Sequence, residues 1–275
     1  MRTITSTILI TCTAIQLISC RATHKQDGSQ VASLKQPELT PDEMCQASAK
    51  EPKSPLGLTV AALIRDTKSA DCAGMFAALP SKKDIQLSNR GITLLSPLRY
   101  AEALESLDVT QNAVTDFSPI AHLTNLQRLY AANNKITALP VPNQWGKLIE
   151  LNVSGNQITD ISAVMSMTAL ESLDFSDNQV QTVVALGNVP SLKVLYANNN
   201  RVRDLSPMSY TTALEQIQME NNIVFDLKPL ADLKELRYVK YLNFRGNPIN
   251  RSGCPIIGDS TAITTYCQNL FVDRN

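Results

Sequence analysis

The chain has two histidines, His24 and His122, and neither has the company that catalysis asks for. His122 stands beside Leu123 with no nucleophile motif to serve. The G-x-S-x-G, H-E-x-x-H, P-loop and G-x-G-x-x-G patterns are all missing. Aspartates and glutamates are plentiful, but they recur at a fixed period, as on a solvated face. No catalytic residue and no cofactor is therefore expected, and His122 reads as a repeat residue near the surface. Thiols offer the other possible chemistry. The spacings Cys45–Cys72 and Cys254–Cys267 are unlike a C-x-x-C metal knuckle, so no metal site is expected either. What remains is recognition, and the side chains suited to it are tyrosines, arginines and carboxylates that recur in step.

That step has a constant length. Asn112, Asn134, Asn156, Asn178, Asn200 and Asn222 are evenly spaced with no insertion between them. A short fixed period means stacked supersecondary units that share one core. In one unit, Leu151 and Val153 alternate with Glu150, Asn152 and Ser154. Period two over a short run predicts a strand with one buried and one wet face. The chain turns at Gly155-Asn156, and Ile158, Ile161, Val164 and Met167 then return inward along an irregular arm. The asparagine sits where the backbone leaves the ladder, and its amide can satisfy groups on its own turn and on the next. Asn156→Ala and Asn178→Ala are expected to cost about 1–3 kcal/mol. Asn152→Ala, on the wet face, is expected to stay within about 0.5 kcal/mol.

The register sorts the wet face into columns. One runs Gln86, Asp108, Tyr130, Asn152, Asp174, Tyr196, Gln218, Asn243; its neighbour runs Asp84, Ser106, Arg128, Glu150, Ser172, Val194, Gln216, Tyr241. A third runs Ser88, Thr110, Ala132, Ser154, Ser176, Asn198, Glu220, Arg245. Tyrosine and arginine are the anchors that interfaces favour. Tyr130, Tyr196, Tyr241, Arg128 and Arg245, with the acidic Asp108 and Asp174, are the candidate binding residues. The competing reading is that the tyrosines only fill space over small neighbours such as Ala132.

Leu126-Gln-Arg-Leu129-Tyr-Ala131-Ala-Asn-Asn134-Lys-Ile136 and Leu170-Glu-Ser-Leu173-Asp-Phe175-Ser-Asp-Asn178-Gln-Val180 resemble the leucine-rich-repeat family, L-x-x-L-x-L-x-x-N-x-I/L. The arms Asp116-Phe-Ser-Pro119 and Asp204-Leu-Ser-Pro207 resemble the 22-residue class of bacterial internalins. Arg90 stands at the asparagine position of the first turn. Pro140, Pro142 and Trp145 interrupt the third, and Asn247 follows after 25 residues. The resemblance implies an α/β solenoid. It would be a right-handed curved stack of about eight turns over residues 83–250, with a parallel concave sheet and irregular or 3-10 convex arms. It is nearly silent on function.

Both ends add detail. Arg2 precedes an apolar run from Ile4 to Ile18 that closes with Leu17-Ile18-Ser19-Cys20. The run is too short and too rich in threonine for a membrane span. It resembles a bacterial lipoprotein signal cut before Cys20, which would then carry the lipid (palmitate). Arg21 is not the aspartate that holds such proteins at the inner membrane. The resemblance thus implies an outer-membrane address in a Gram-negative cell envelope. Residues 20–44 read as a polar tether. Residues 45–82 read as a helical cap, with Thr59 capping Val60–Arg65 and Asp71 capping Cys72–Leu79. Residues 251–275 read as a C-terminal cap in which Ser260 starts a short helix. Cys12 leaves with the signal and Cys20 takes lipid, so four cysteines remain for an oxidising compartment. Seven strand steps separate the ends of the stack by about 34 Å, and a disulfide spans at most about 7 Å. Only Cys45–Cys72 and Cys254–Cys267 are then possible pairs.

Basic and acidic side chains balance at 25 each, and residues 1–19 take only Arg2 with them. Nothing in that balance invites nucleic acid. The expected function is binding of another protein by the concave face of a lipid-anchored envelope protein. The alternative is binding of a glycan or peptidoglycan, through spaced tyrosines and Asn/Asp hydrogen bonds.

Overall fold

A computed structural model describes residues 38–140, 145–236, 238, 241–255 and 261–272. The signal at 1–19, Cys20, the tether as far as residue 37, Pro142 and the Ser260 cap lie outside the described residues. Three helices come first: α1 (Pro41–Lys50), α2 (Pro55–Thr67) and α3 (Cys72–Ala78). Seven three-residue strands follow, β1 (Asp84–Gln86), β2 (Ser106–Asp108), β3 (Arg128–Tyr130), β4 (Glu150–Asn152), β5 (Ser172–Asp174), β6 (Val194–Tyr196) and β7 (Gln216–Gln218). The two-residue β8 (Leu242–Asn243) and α4 (Thr261–Val272) close the order. The strands form one parallel sheet in sequence order, β1 to β8. Asp84 pairs with Ser106, Ser106 with Arg128, and so on in steps of 22 to Gln216. The three extra residues before Asn247 fall between β7 and β8, where Ile217 pairs with Leu242.

One apolar core runs the length of the stack. The central residue of each three-residue strand is buried, as are the arm residues Ile158, Ile161, Val164 and Met167. The arms carry short 3-10 turns, among them Ser118–Ile120, Ser162–Ser166 and Ser206–Tyr210. Their start is encoded locally: the carboxylates of Asp116, Asp160 and Asp204 accept the N–H of Ser118, Ser162 and Ser206 at 2.7–2.8 Å. That Asx geometry ends the extended run and lets the next residues turn.

The asparagine ladder is present, with one change from expectation. Asn156 Oδ1 accepts the Ile136 N–H at 2.9 Å, and its Nδ2 reaches the carbonyls of Ala131 at 3.0 Å and Val153 at 2.9 Å. Asn178 repeats the pattern on Ile158, Val153 and Phe175. The partners lie on the asparagine's own turn and the preceding turn, not the next. Asn247 makes the same contacts to Val224, Met219 and Phe244 despite its longer spacing. The first turn, with Arg90, is served by Asn112, which accepts from Arg90 and Ile92. The residue before each ladder asparagine is left-handed: Gln111, Asn133, Gly155, Asp177, Asn199, Asn221 and Gly246 have φ between 53° and 76°. Asn, Asp and Gly dominate there because they tolerate that region.

Asn156→Ala or Asn178→Ala is expected to cost about 1–3 kcal/mol, since each strands a buried amide, that of Ile136 or Ile158, and takes one of two asparagine donors from each of two carbonyls. Asn152 is not idle as its wet position suggested. Its Oδ1 accepts from Ser154 N at 3.0 Å and Ser154 Oγ at 2.7 Å. Its replacement by alanine is expected to cost about 0.5–1 kcal/mol, a half-exposed hydrogen bond. Urea denaturation of the three variants checks the order; equal losses at Asn152 and Asn156 would refute it.

The ends differ from the sequence reading in two places. Helix α1 begins inside the expected tether, started by a Thr40/Glu43 capping box. Thr59 is not a cap. Helix α2 is instead capped by Ser54, and buried Thr59 reaches the carbonyls of Pro55 at 3.1 Å and Leu94 at 3.0 Å, tying the helix to the first arm. Asp71 does cap α3, accepting from Gly74 N at 2.8 Å. Ser106, assigned to the wet face, is buried. Both disulfides are formed, Cys45–Cys72 and Cys254–Cys267. Each sheet edge is closed by one polar side chain from a cap. Asp66 of α2 accepts the Gln86 N–H of β1 at 3.0 Å, and Tyr266 of α4 accepts the Phe244 N–H after β8 at 3.1 Å. An open parallel edge would otherwise template another chain.

Candidate binding face

The sheet's open face carries the first two columns read from the sequence, those of Tyr130 and of Arg128, in the expected register. Tyr130 and Tyr196 are three turns apart, about 14 Å along the stack. Both rings are half-buried, because each leans along the stack onto the following turn. The Tyr130 hydroxyl donates to the Glu150 carboxylate. The Tyr196 hydroxyl accepts from Gln216 Nε2 at 2.9 Å. Partial burial, then the Glu150 carboxylate, pushes the Tyr130 phenol up to about 12, so it stays a donor at all physiological pH.

Between the rings stand Asn152 and Asp174. A cleft of about 110 Å³ opens there, lined by Tyr130, Glu150, Leu151, Asn152, Ser172, Asp174 and Tyr196. Asp174 Oδ1 accepts the Ser176 N–H at 2.9 Å. Burial, against the relief of that bond and helped by the nearby Asp177 charge, raises the Asp174 carboxyl above the usual range. Asp108 makes the equivalent bond to Thr110 N at 2.8 Å and lies one turn before Tyr130. These acids therefore also hold the strand-to-turn junction, a role the sequence reading did not give them.

Arg128 lies in register with Glu150, beside the cleft. Tyr241 and Arg245 do not join this group. Tyr241 lies outside β8, its ring edge-on to Tyr238 at 5.9 Å, and Arg245 is exposed past the end of β8. The structure thus gathers Arg128, Tyr130, Asp174 and Tyr196, and leaves Asp108, Tyr241 and Arg245 along the flanks. It adds Glu150 and Gln216 as partners of the two phenols. Each lies 20 residues after its tyrosine, diagonally across the register, and that diagonal was the available signal.

The larger cavity, about 420 Å³, is elsewhere. It lies between the chain entering α1 and the first convex arms, lined by Glu38, Leu39, Met44, Ser96, Arg99, Ser118, Pro119, Ala121 and His122. Arg99 is ion-paired with Glu38, and the exposed His122 meets the Arg99 carbonyl through Nε2 at 2.9 Å. Its polar groups face one another and hold the cap to the stack. Among the described residues no cluster of three or more His, Cys, Asp or Glu side chains could hold a metal ion. Among them, too, no helix is long and apolar enough to cross a membrane.

An unclosed parallel sheet with one core and 3-10 arms defines a repeat solenoid. The solenoid is a leucine-rich-repeat fold. Residues 102–144, 124–164, 146–188 and 168–210 match the family described as Leucine Rich repeats (2 copies), and over these turns the chain carries that repeat. No curated protein sequence matches the chain. Among solved structures, internalin C2 of Listeria monocytogenes is 25% identical, covers 65% of this chain and 89% of its own, and superposes with a TM-score of 0.49. The internalin inlF of the same organism is 24% identical over 70% of each chain, with a TM-score of 0.51. A leucine-rich-repeat protein of Leptospira interrogans is 22% identical over 65% of this chain and 53% of its own, with a TM-score of 0.52. The likeness to the last two, both under 25% identical, speaks for the fold alone.

Proposed function

We propose that this protein is a lipid-anchored cell-envelope module that binds another protein through its concave face. The observation that carries the reading is the pair of half-buried tyrosine rings on the open side of a rigid sheet. Rings held by neighbours have little rotamer entropy left to lose, which is how interface anchors are built. A curved repeat stack also offers an extended surface of the size partner proteins use. The repeats read as the 22-residue internalin-like class because the register advances by that step from β1 to β7.

The anchor rests on sequence. Cys20 closes the apolar run Ile4–Ile18, and the polar stretch that follows supplies reach. The chain then divides into a signal (1–19), a lipidated tether, a helical cap, the repeats and a C-terminal cap. The address is the outer membrane of a Gram-negative envelope, on the resemblance of the Cys20 region and Arg21.

Cross-linked capture from native cells tests the reading. The double variant Tyr130→Ala/Tyr196→Ala is expected to lose at least tenfold in capture. Because the rings are half-buried and hydrogen-bonded, its thermal midpoint is expected to fall too, by about 2–4 °C for each kcal/mol lost. Unaltered capture would move the site to the convex arms or caps. Collapse of the fold would make the tyrosines packing elements. Purified peptidoglycan run as a competitor separates the glycan alternative. In the same cells Cys20→Ser is expected to abolish labelling by a fatty-acid analogue; label that persists would refute the anchor.

A further inference from the structure

The cleft between Tyr130 and Tyr196 has a chemistry more specific than a generic hot spot. At about 110 Å³ it is well below the several hundred Å³ of sites that enclose a whole small ligand. It admits the tip of one side chain. Its ends are tyrosine rings, whose faces carry negative quadrupole charge that attracts cations. Two of its lining residues, Glu150 and Asp174, are carboxylates. Across the three wet columns Asp84, Asp108, Glu150, Asp174 and Glu220 face only Arg128 and Arg245.

We infer that this cleft receives the basic side chain of a residue on the partner protein, held by the Glu150 and Asp174 carboxylates between the two tyrosine rings. The inference rests on the concave-face reading and names the chemistry of its partner. Asp174 sits partly out of water with a second acid, Asp177, close enough to add to its discomfort. An incoming ammonium or guanidinium relieves both costs, because a nearby opposite charge favours the ionised form. Arg128, in register with Glu150, is the competing cation. It tempers the field at one end of the cleft and leaves Asp174, two strands further on, to the guest.

The site can be neutralised without being dismantled. Glu150 accepts the Tyr130 O–H and Asp174 accepts the Ser176 N–H, and the amides Gln and Asn can accept the same bonds. Asn152 already does so for Ser154 at the equivalent position one turn earlier. Glu150→Gln/Asp174→Asn is thus expected to fold as the parent does.

The probe is a tetralysine peptide titrated into the purified protein at low salt, with the tyrosine ring signals followed by NMR. Tetraglutamine and tetraglutamate serve as comparisons. Saturable shifts of the Tyr130 and Tyr196 rings are expected with tetralysine alone. They are expected to weaken at least fivefold in Glu150→Gln/Asp174→Asn. Equal affinity in that variant, equal response to tetraglutamine, or shifts confined to other tyrosines would overturn the inference. Partner capture is then compared. Tenfold loss in Glu150→Gln/Asp174→Asn as well as in Tyr130→Ala/Tyr196→Ala supports the basic guest. Loss in the tyrosine variant alone overturns it while leaving the concave-face reading intact. Retention in both overturns both.

Discussion

Trp145→Ala is expected to destabilise the protein by about 3–5 kcal/mol, the range for deleting a buried aromatic side chain. Trp145 is the chain's only tryptophan and is 1% exposed. It occupies the repeat position held by Leu123 in the turn before and Met167 in the turn after. Its ring meets Phe117 edge to face at 5.7 Å, and its indole N–H donates to the Ile120 carbonyl at 3.4 Å. The larger side chain thus packs back onto the arm of the preceding turn. Removing it opens a cavity between two stacked turns, and a solenoid is joined only through neighbours. Trp145→Phe keeps a ring but loses the N–H, so its cost is expected to be smaller, about 1–2 kcal/mol. Denaturant unfolding followed by far-ultraviolet circular dichroism measures both, since the alanine variant has no indole fluorescence. A cost below about 1 kcal/mol for the alanine variant would mean that Trp145 is not a keystone of the stack.

The second large effect is expected at the N-terminal end. The Cys45–Cys72 bond spans 27 residues, so its loss should cost about 3.5 kcal/mol in the chain-entropy picture. Helix α1 has little else to hold it. Only Met44 and Ser48 are buried along its length, whereas α2 buries Val60, Ala62 and Leu63. Cys45→Ala/Cys72→Ala is therefore expected to release α1 while the middle of the sheet stays closed. Hydrogen exchange is the measurement: amides of α1 should lose protection and those of β4 to β6 should keep theirs. Uniform loss across the stack would show that the cap and repeats unfold as one unit. Retained protection in α1 would show that Met44 and the capping box suffice. Loss of Cys254–Cys267, closing 13 residues, is expected to cost about 3 kcal/mol on the same account.

The even recurrence of asparagine from Asn112 to Asn222 was enough to read the stack, the direction of the sheet and the buried column. That works because period two and a fixed repeat each constrain geometry without reference to any distant contact. The pairing of cysteines followed from the same linearity. The caps were less legible. Thr59 looks like a helix start because threonine often is one, but its hydroxyl is spent on Leu94, 35 residues away. Asp66 and Tyr266 close the two sheet edges with single hydrogen bonds that no local pattern announces.

The candidate face divides in the same way. The order of residues determined by itself which side chains share a column, because alternation along a strand and the constant repeat length leave no freedom in that assignment. Only the tertiary structure decided how those side chains lean. Tyr130 tips onto Glu150 and Tyr196 onto Gln216, each on the following turn. Two smaller residues, Asn152 and Asp174, then separate the rings and leave a cleft with carboxylates in its walls. A rotamer is chosen by the volume and hydrogen-bonding groups of neighbours on adjacent turns. Those neighbours are 20 residues away along the chain and in contact only once the turns are stacked.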